Sequence, residues 1–177
     1  MTISNSAIKD LKDKLNTVVR YCITKSPGFA SIALWIPYHI YLEDFDLIAC
    51  TDGKSIRVGQ RFFDYQPAEQ AFIVIHEVMH VALRHVQRSR IKDCNPLLWN
   101  IATDAVINQA LRHVGWLSCP ADAIILEKLI DEETLKLHSA YQWTSEQVYY
   151  YLLKHPDRCT ATLFMADLRT RSVAVEA

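Results

Sequence analysis

The sequence predicts an α+β fold that is mostly helical, with a small β-hairpin beside one buried helix. Two short apolar segments, residues 47–51 and 55–58, flank Asp52-Gly53, a dipeptide typical of tight hairpin turns. Much of the remaining chain has apolar residues at the three-and-four spacing of helices. A hairpin followed by consecutive helices is an element order found in α+β proteins.

Local signals place the individual helices. Pro27-Gly28 ends the first, Pro67 opens the second, and Thr144 starts a capping box at the last. Residues 29–46 fit either a continuing helix or a buried strand, and residues 157–177 show no pattern. In chain order, the predicted helices cover residues 5–25, 67–89, 97–114, one or two short segments within 122–139, and 144–155.

Composition limits the classes of protein to consider. With 177 residues, half of them hydrophobic, the chain can form one domain with a sizeable core; we predict a domain over 1–156 and a tail over 157–177. The net charge of −1 argues against nucleic acid or an anionic membrane as a partner. Five scattered cysteines without a CxxC motif indicate reduced thiols and a cytoplasmic location.

The segment His76-Glu77-Val78-Met79-His80 is the most informative in the chain. Two histidines four apart project from one face of a helix, and in the HExxH motif of zinc peptidases they bind the metal while the glutamate handles a proton. The neighbouring residues are apolar on almost every side, which predicts a buried helix. Buried histidines need partners. A bound metal would be such a partner. The alternative is that the histidines form hydrogen bonds with neighbouring side chains.

A catalytic zinc site needs a third protein ligand and one open position. Asn100, Asp104 and Asn108 recur every four residues and form a polar stripe on the predicted 97–114 helix. A carboxylate binds Zn²⁺ well and a neutral amide binds it poorly. The predicted metal set is therefore His76, His80 and Asp104, with Asn100 as the alternative third ligand. The stripe could instead be an ordinary solvated face.

Two other predictions concern side chains near this motif. His85 follows His80 by five residues, which is about 140° around an ideal helix, so we expect it to be solvated or at the helix end. Tyr149 and Tyr141 could donate to a developing oxyanion. The helical spacing of Tyr149 with Leu152 indicates that Tyr149 belongs to the core instead.

Taken together, these motifs resemble a known family. The segments 76–85 and 99–108 resemble a bacterial metallopeptidase domain that often precedes a von Willebrand factor A-like domain, and so do 51–54 and 145–149. The resemblance covers about residues 25–155. It implies a zincin-like fold, a zinc-dependent hydrolase, and a von Willebrand A-like or ATPase partner. No von Willebrand factor A-like domain follows in this sequence, which suggests a stand-alone or shortened version of the family's arrangement.

The spacing also resembles that of the gluzincin peptidases. In those enzymes a glutamate ligand and an aspartate behind the ligands follow on the next helix, four residues apart. Asn100 and Asp104 lie 20 and 24 residues after His80, at the corresponding places. Because Asn100 replaces the glutamate, either Asp104 binds the metal directly or the third ligand is weak. We favour the first alternative.

The leading hypothesis is a zinc-dependent metallopeptidase in which Glu77 is the general base. Its peptide substrate could pair with the 47–58 hairpin as an additional strand. The alternative is a non-catalytic zinc-binding interaction or regulatory module. A purely structural zinc site has no use for a carboxylate beside its ligands, so Glu77 favours the enzyme.

Overall fold

A computed structural model describes residues 5–90, 93–137 and 142–159. It shows an α+β arrangement of helices with one small sheet, which confirms the predicted fold class. The strands are β1 (Tyr38–Ile40), β2 (Ala49–Thr51) and β3 (Ile56–Val58). The helices are α1 (Asn5–Lys25), α2 (Pro27–Ala33), α3 (Pro67–Ala82), α4 (His85–Arg88), α5 (Pro96–Leu111), α6 (Leu126–Leu129), α7 (Glu132–Leu137) and α8 (Ser145–Lys154), with 3₁₀ turns at Gln60–Asp64 and Pro156–Cys159.

The sheet has the strand order β1-β3-β2. The predicted hairpin forms: β2 and β3 are antiparallel, Gly53 takes the left-handed turn position (φ 84°), and the Asp52 carboxylate accepts the N–H groups of Lys54 and Ser55. β1 comes from the ambiguous 29–46 segment and pairs in parallel with β3. β2 is consequently left as an edge strand, and its position beside α3 matters for the site described below.

Helix α3 lies at the centre of the protein, against α1, α2, β2 and α5. A capping box between Gln66 and Glu69 fixes its start, with Pro67 at the first helical position. Its apolar side chains join α1 and β3 in one core, while a second core lies between α5, α6 and α8. Because α5 contributes Ile107 to the first core and Ile101 to the second, it crosses α3 in a fixed position.

The prediction of one continuous helix over 67–89 is wrong. Helix α3 ends at Ala82, and Arg84 adopts the left-handed conformation (φ 56°) before the chain turns into α4. A non-glycine residue in this region is uncommon and gives no local sequence signal. The break turns His85 out of the α3 direction, with consequences for the metal centre.

The other predicted helices lie near their expected positions. The first covers Asn5–Lys25, the third covers Pro96–Leu111, the segment within 122–139 contains α6 and α7, and the last covers Ser145–Lys154 behind the predicted Thr144 capping box. The tail predicted over 157–177 begins with the 3₁₀ turn, and residues 160–177 lie outside the described ranges. The domain boundary after residue 156 stays a prediction.

Candidate metal centre

Helix α3 places the two histidines of the HExxH motif one turn apart on a buried face. The imidazoles of His76 and His80 converge, and their Nε2 atoms are 2.9 Å apart. Both side chains are largely shielded from solvent, with relative exposures of 13% and 9%. Two ring nitrogens that approach each other this closely can serve as neighbouring ligands of one cation.

The polar stripe of α5 faces these histidines. Asp104 points its Oδ1 atom at both rings, 3.1 Å from His80 Nε2 and 3.5 Å from His76 Nε2. Asp104 and Asn108 are buried, so the alternative of a solvated polar face does not hold for them. The stripe points inward because apolar residues on the other sides of α5 occupy both cores.

The three donor atoms fit a tetrahedral metal ion. Ligands bound to zinc at about 2.0–2.1 Å in tetrahedral geometry lie about 3.3–3.4 Å from each other. The distances between the three donors are 2.9, 3.1 and 3.5 Å. Within the described ranges, His76, His80 and Asp104 are the one group of three histidine, cysteine or acidic side chains that could hold a metal. The structure brings the three predicted ligands together, and their role as ligands stays a prediction.

Asn108 holds the ring of His76 from behind. Its Oδ1 is 2.8 Å from His76 Nδ1, while its Nδ2 donates to the carbonyl oxygen of Ile124 at 2.8 Å. The bond to Ile124 fixes which way the amide points, so Asn108 Oδ1 must accept the Nδ1–H of His76. In the neutral ring, which is the form that binds a metal, the lone pair on Nε2 then faces Asp104 and the metal position. The sequence shows the stripe that contains Asn108 without revealing this role.

His85 contacts His80 in a similar way. It lies at a helix end, as predicted, because α4 begins at His85, but the alternative prediction that it is solvated is wrong. Its side chain is only 2% exposed and its Nδ1 lies 3.1 Å from His80 Nδ1. On the far side, its Nε2 lies 3.2 Å from Ser145 Oγ. The error comes from assuming one straight helix, since the left-handed Arg84 brings His85 back beneath His80.

The local charges favour ionised Asp104 beside neutral His85. Burial opposes ionisation of Asp104, but hydrogen bonds with His76 and His80 hold its pKa well below the usual range. Burial also disfavours the charged form of His76, yet Asp104 raises its pKa by hydrogen bonding and charge. Burial lowers the pKa of His85 to about 3, with repulsion from His80 and Arg88 adding to the effect. An anionic carboxylate with histidine nitrogens is a suitable donor set for a divalent cation.

The other site residues predicted from the sequence differ in their positions relative to the three donors. Asn100 donates through Nδ2 to Asp104 Oδ2 at 3.4 Å, so its amide nitrogen faces the carboxylate. Glu77 is 8% exposed and lines the same cavity as the three donors. Tyr149 is buried and its hydroxyl accepts the backbone N–H of Asn95, in accord with the core interpretation. Tyr141 lies outside the described residues.

A cavity of 560 Å³ opens above the donor group. Residues 47–51, which include the edge strand β2, line one part, and the first half of α5 lines another. Glu77 and the three donors contribute polar groups to a lining that is otherwise mainly apolar, including Phe72, Trp99 and Leu97. A mainly apolar cleft with a few converging polar groups is typical of a binding or catalytic site.

Comparison with known proteins identifies the family. Residues 11–171 match a family described as "Putative metallopeptidase domain". The chain belongs to this family. The match covers most of the sequence and confirms the predicted resemblance, and together with the donor group it indicates a metal-binding domain of the metallopeptidase type.

Individual relatives add little detail. An uncharacterized protein of Thermotoga maritima is 33% identical over 64 residues, a stretch that covers 36% of this chain and 16% of that protein. No solved structure matches the chain. The zincin-like character of the fold therefore stays a prediction. Of the described helices, none has the length and apolar character that a membrane span requires.

Proposed function

We propose that this domain is a zinc-dependent metallopeptidase, with His76, His80 and Asp104 as the zinc ligands and Glu77 as the general base. The observation that supports it best is the triangle of donor atoms, 2.9 to 3.5 Å on a side, which the two histidines of the HExxH helix form with Asp104 of α5. Two histidines and one carboxylate form a ligand set typical of catalytic zinc, because the fourth position stays open. A structural zinc site is normally closed by four protein ligands.

The reaction follows from the position of Glu77. Zinc bound at this site supplies Lewis-acid activation of water and of the substrate carbonyl. Glu77 lines the same cavity as the donor group, so its carboxylate would take the proton of the attacking water and pass it to the leaving amine nitrogen. The mainly apolar lining of the cavity would strengthen the electrostatic interactions of a bound metal with its ligands and with the substrate.

The edge strand β2 offers a place for the peptide. In the hairpin, Gly59 N–H donates to Ile48 O and Asp52 N–H donates to Ser55 O, so the register makes Ile48, Cys50 and Asp52 the residues that bond to β3. Ala49 and Thr51 therefore direct their backbone N–H and C=O groups away from β3, at the outer edge of the described sheet. A peptide could add there as another strand beside the cavity, in the mode by which extended peptides add to sheet edges.

The test separates metal binding from catalysis. Untagged wild-type protein should contain about one zinc per chain and cleave an unfolded protein such as casein. His76→Ala and His80→Ala should lose the zinc, whereas Glu77→Gln should keep it and lose cleavage, since the base touches water and not metal. Glu133→Gln, on the exposed surface of α7, is the matched control and should resemble the wild type.

Two results would contradict the proposal. Zinc content unchanged in both histidine variants would exclude this metal site. Cleavage by Glu77→Gln at the wild-type rate would exclude Glu77 as the base. Zinc binding without cleavage of any unfolded substrate would instead support the alternative, a non-catalytic zinc-binding interaction or regulatory module.

A further inference from the structure

His85 is a buried imidazole that the proposed reaction does not use. It lies on α4, outside the HExxH motif, with only 2% of its surface exposed. A buried polar ring is costly unless its nitrogen atoms have partners. Both nitrogens of His85 have one, and one of these partners is His80.

The position of the donor group determines the direction of the hydrogen bonds that link His80, His85 and Ser145. His80 Nε2 faces Asp104 and His76, so the proton of a metal-binding His80 must be on Nδ1. That N–H points at His85 Nδ1, 3.1 Å away, which must therefore accept. The proton of a neutral His85 is then on Nε2, where Ser145 Oγ accepts it at 3.2 Å. Each partner thus fixes the tautomer of the next.

Helices other than α3 hold His85 in place. The indole N–H of Trp99, on α5, donates to the backbone carbonyl of His85 at 3.0 Å. One turn along α4, Arg88 forms a bidentate ion pair with Glu146, the neighbour of Ser145 at the start of α8. The acceptor behind His80 is therefore held by contacts with α5 and α8, in addition to its link through Arg84 to the end of α3.

We propose that His85 is a positioning residue for His80: its Nδ1 fixes the ring orientation and the tautomer with which His80 binds the metal, and Ser145 fixes the tautomer of His85 in turn. This inference rests on the proposed function, because it requires His80 to be a ligand. Metal-binding histidines usually donate to a carboxylate, a carbonyl or water. A neutral imidazole in that place orients His80 without adding negative charge.

A pair of substitutions of the same shape tests the inference. Asparagine in His85→Asn places its Oδ1 where His85 Nδ1 lies, so an acceptor for His80 remains. The leucine of His85→Leu has nearly the same shape as this asparagine but has no acceptor atom. Both variants remove the same ring from between His80 and Trp99, so the packing loss is similar. A difference in metal binding between them reports the hydrogen bond.

The measurements use zinc and cobalt without substrate. We expect His85→Leu to bind zinc about 10–100-fold more weakly in a chelator competition and to change the visible absorption of the Co²⁺ form. His85→Asn should stay closer to the wild type in both. The melting temperature in excess chelator shows how much each substitution destabilises the fold when no metal is bound. Ser145→Ala, which removes only the distal acceptor, should weaken zinc binding several-fold, and it decides the question if the His85 variants do not fold.

The outcomes distinguish the inference from the proposed function. If His80→Ala loses zinc but His85→Asn and His85→Leu bind it equally, His85 is only structural and the metal site stands. Unchanged zinc affinity in Ser145→Ala with unfolded His85 variants would overturn the inference in the same way. If the wild type binds no zinc, both the proposed function and the role of His85 are wrong.

Discussion

Asn100 donates its side-chain amide to Oδ2 of Asp104, one turn further along α5, over 3.4 Å. The other oxygen of that carboxylate, Oδ1, faces His76 and His80. The contact is long and therefore weak, but its direction is informative. With the amide nitrogen on the carboxylate, Asn100 supports the Asp104 oxygen that does not face the histidines, which favours Asp104 over Asn100 as the third ligand.

The first prediction concerns this choice of ligand. Asp104→Ala should weaken zinc binding far more than Asn100→Ala, because Asp104 neutralises one unit of metal charge and Asn100 none. Asp104→Asn keeps the shape without the charge and should also bind poorly. Zinc affinity measured by chelator competition decides this. A larger loss in Asn100→Ala than in Asp104→Ala would show that the gluzincin-like register is the right one.

Much of the site was predictable because its signals are local or periodic. The spacing of His76 and His80 places two imidazoles on one helical face whatever the rest of the fold does. The recurrence of Asn100, Asp104 and Asn108 every four residues indicates a polar face on the α5 helix. Burial of Asp104 and Asn108 shows that this face points inward.

The remaining features depend on long-range contacts or on one unusual backbone angle. Parallel pairing of β1 with β3 joins residues 38–40 to 56–58, and nothing local in β1 distinguishes strand from helix. The role of His85 depends on the left-handed Arg84, since a continuous helix would turn it about 140° from His80. Burial of His85 against Ser145, 60 residues away, leaves no pattern in the sequence.

The second prediction concerns Asn108. Asn108→Ala removes the acceptor of His76 Nδ1–H, so zinc affinity should fall about 10–100-fold, as for other partners behind ligand histidines. Gln109→Ala is the matched control: Gln109 is its neighbour and equally buried, but it donates to Glu127, away from the histidines. Chelator competition should show a loss only for Asn108→Ala. Equal losses in the two variants would mean that Asn108 acts through general stability.

The third prediction concerns Gly59, which follows β3 and donates to Ile48. A Cβ atom there would clash with the carbonyl oxygen of Leu47, so the backbone must shift. Gly59→Ala should lower the free energy of unfolding by about 1–3 kcal/mol, as overpacking usually does. At Gly115 a Cβ meets nothing within 4 Å, so Gly115→Ala should stay within about 0.5 kcal/mol. Urea denaturation compares the two, and similar stabilities would contradict the close approach.

The last prediction concerns pH and the ion pair of α4 with α8. Burial raises the pKa of Glu146, but hydrogen bonds and charge from Arg88 outweigh it, so the folded pKa lies below the ordinary 4.5. The pair therefore stabilises the fold above about pH 4.5, and the effect is lost as the pH falls through the lower folded pKa. Since each side chain is 35% exposed, the contribution should be only about 0.2–1 kcal/mol.

Glu146→Gln keeps the shape of the side chain and removes its charge, so it isolates this contribution. Near pH 7 the wild type should have the larger free energy of unfolding in urea, by about the amount expected for a partly exposed pair. As the pH falls below the ordinary pKa of glutamate, the two proteins should converge, because protonated Glu146 no longer pairs with Arg88 as an anion. A constant difference down to about pH 3 would show that hydrogen bonding or packing, and not charge, holds α4 against α8.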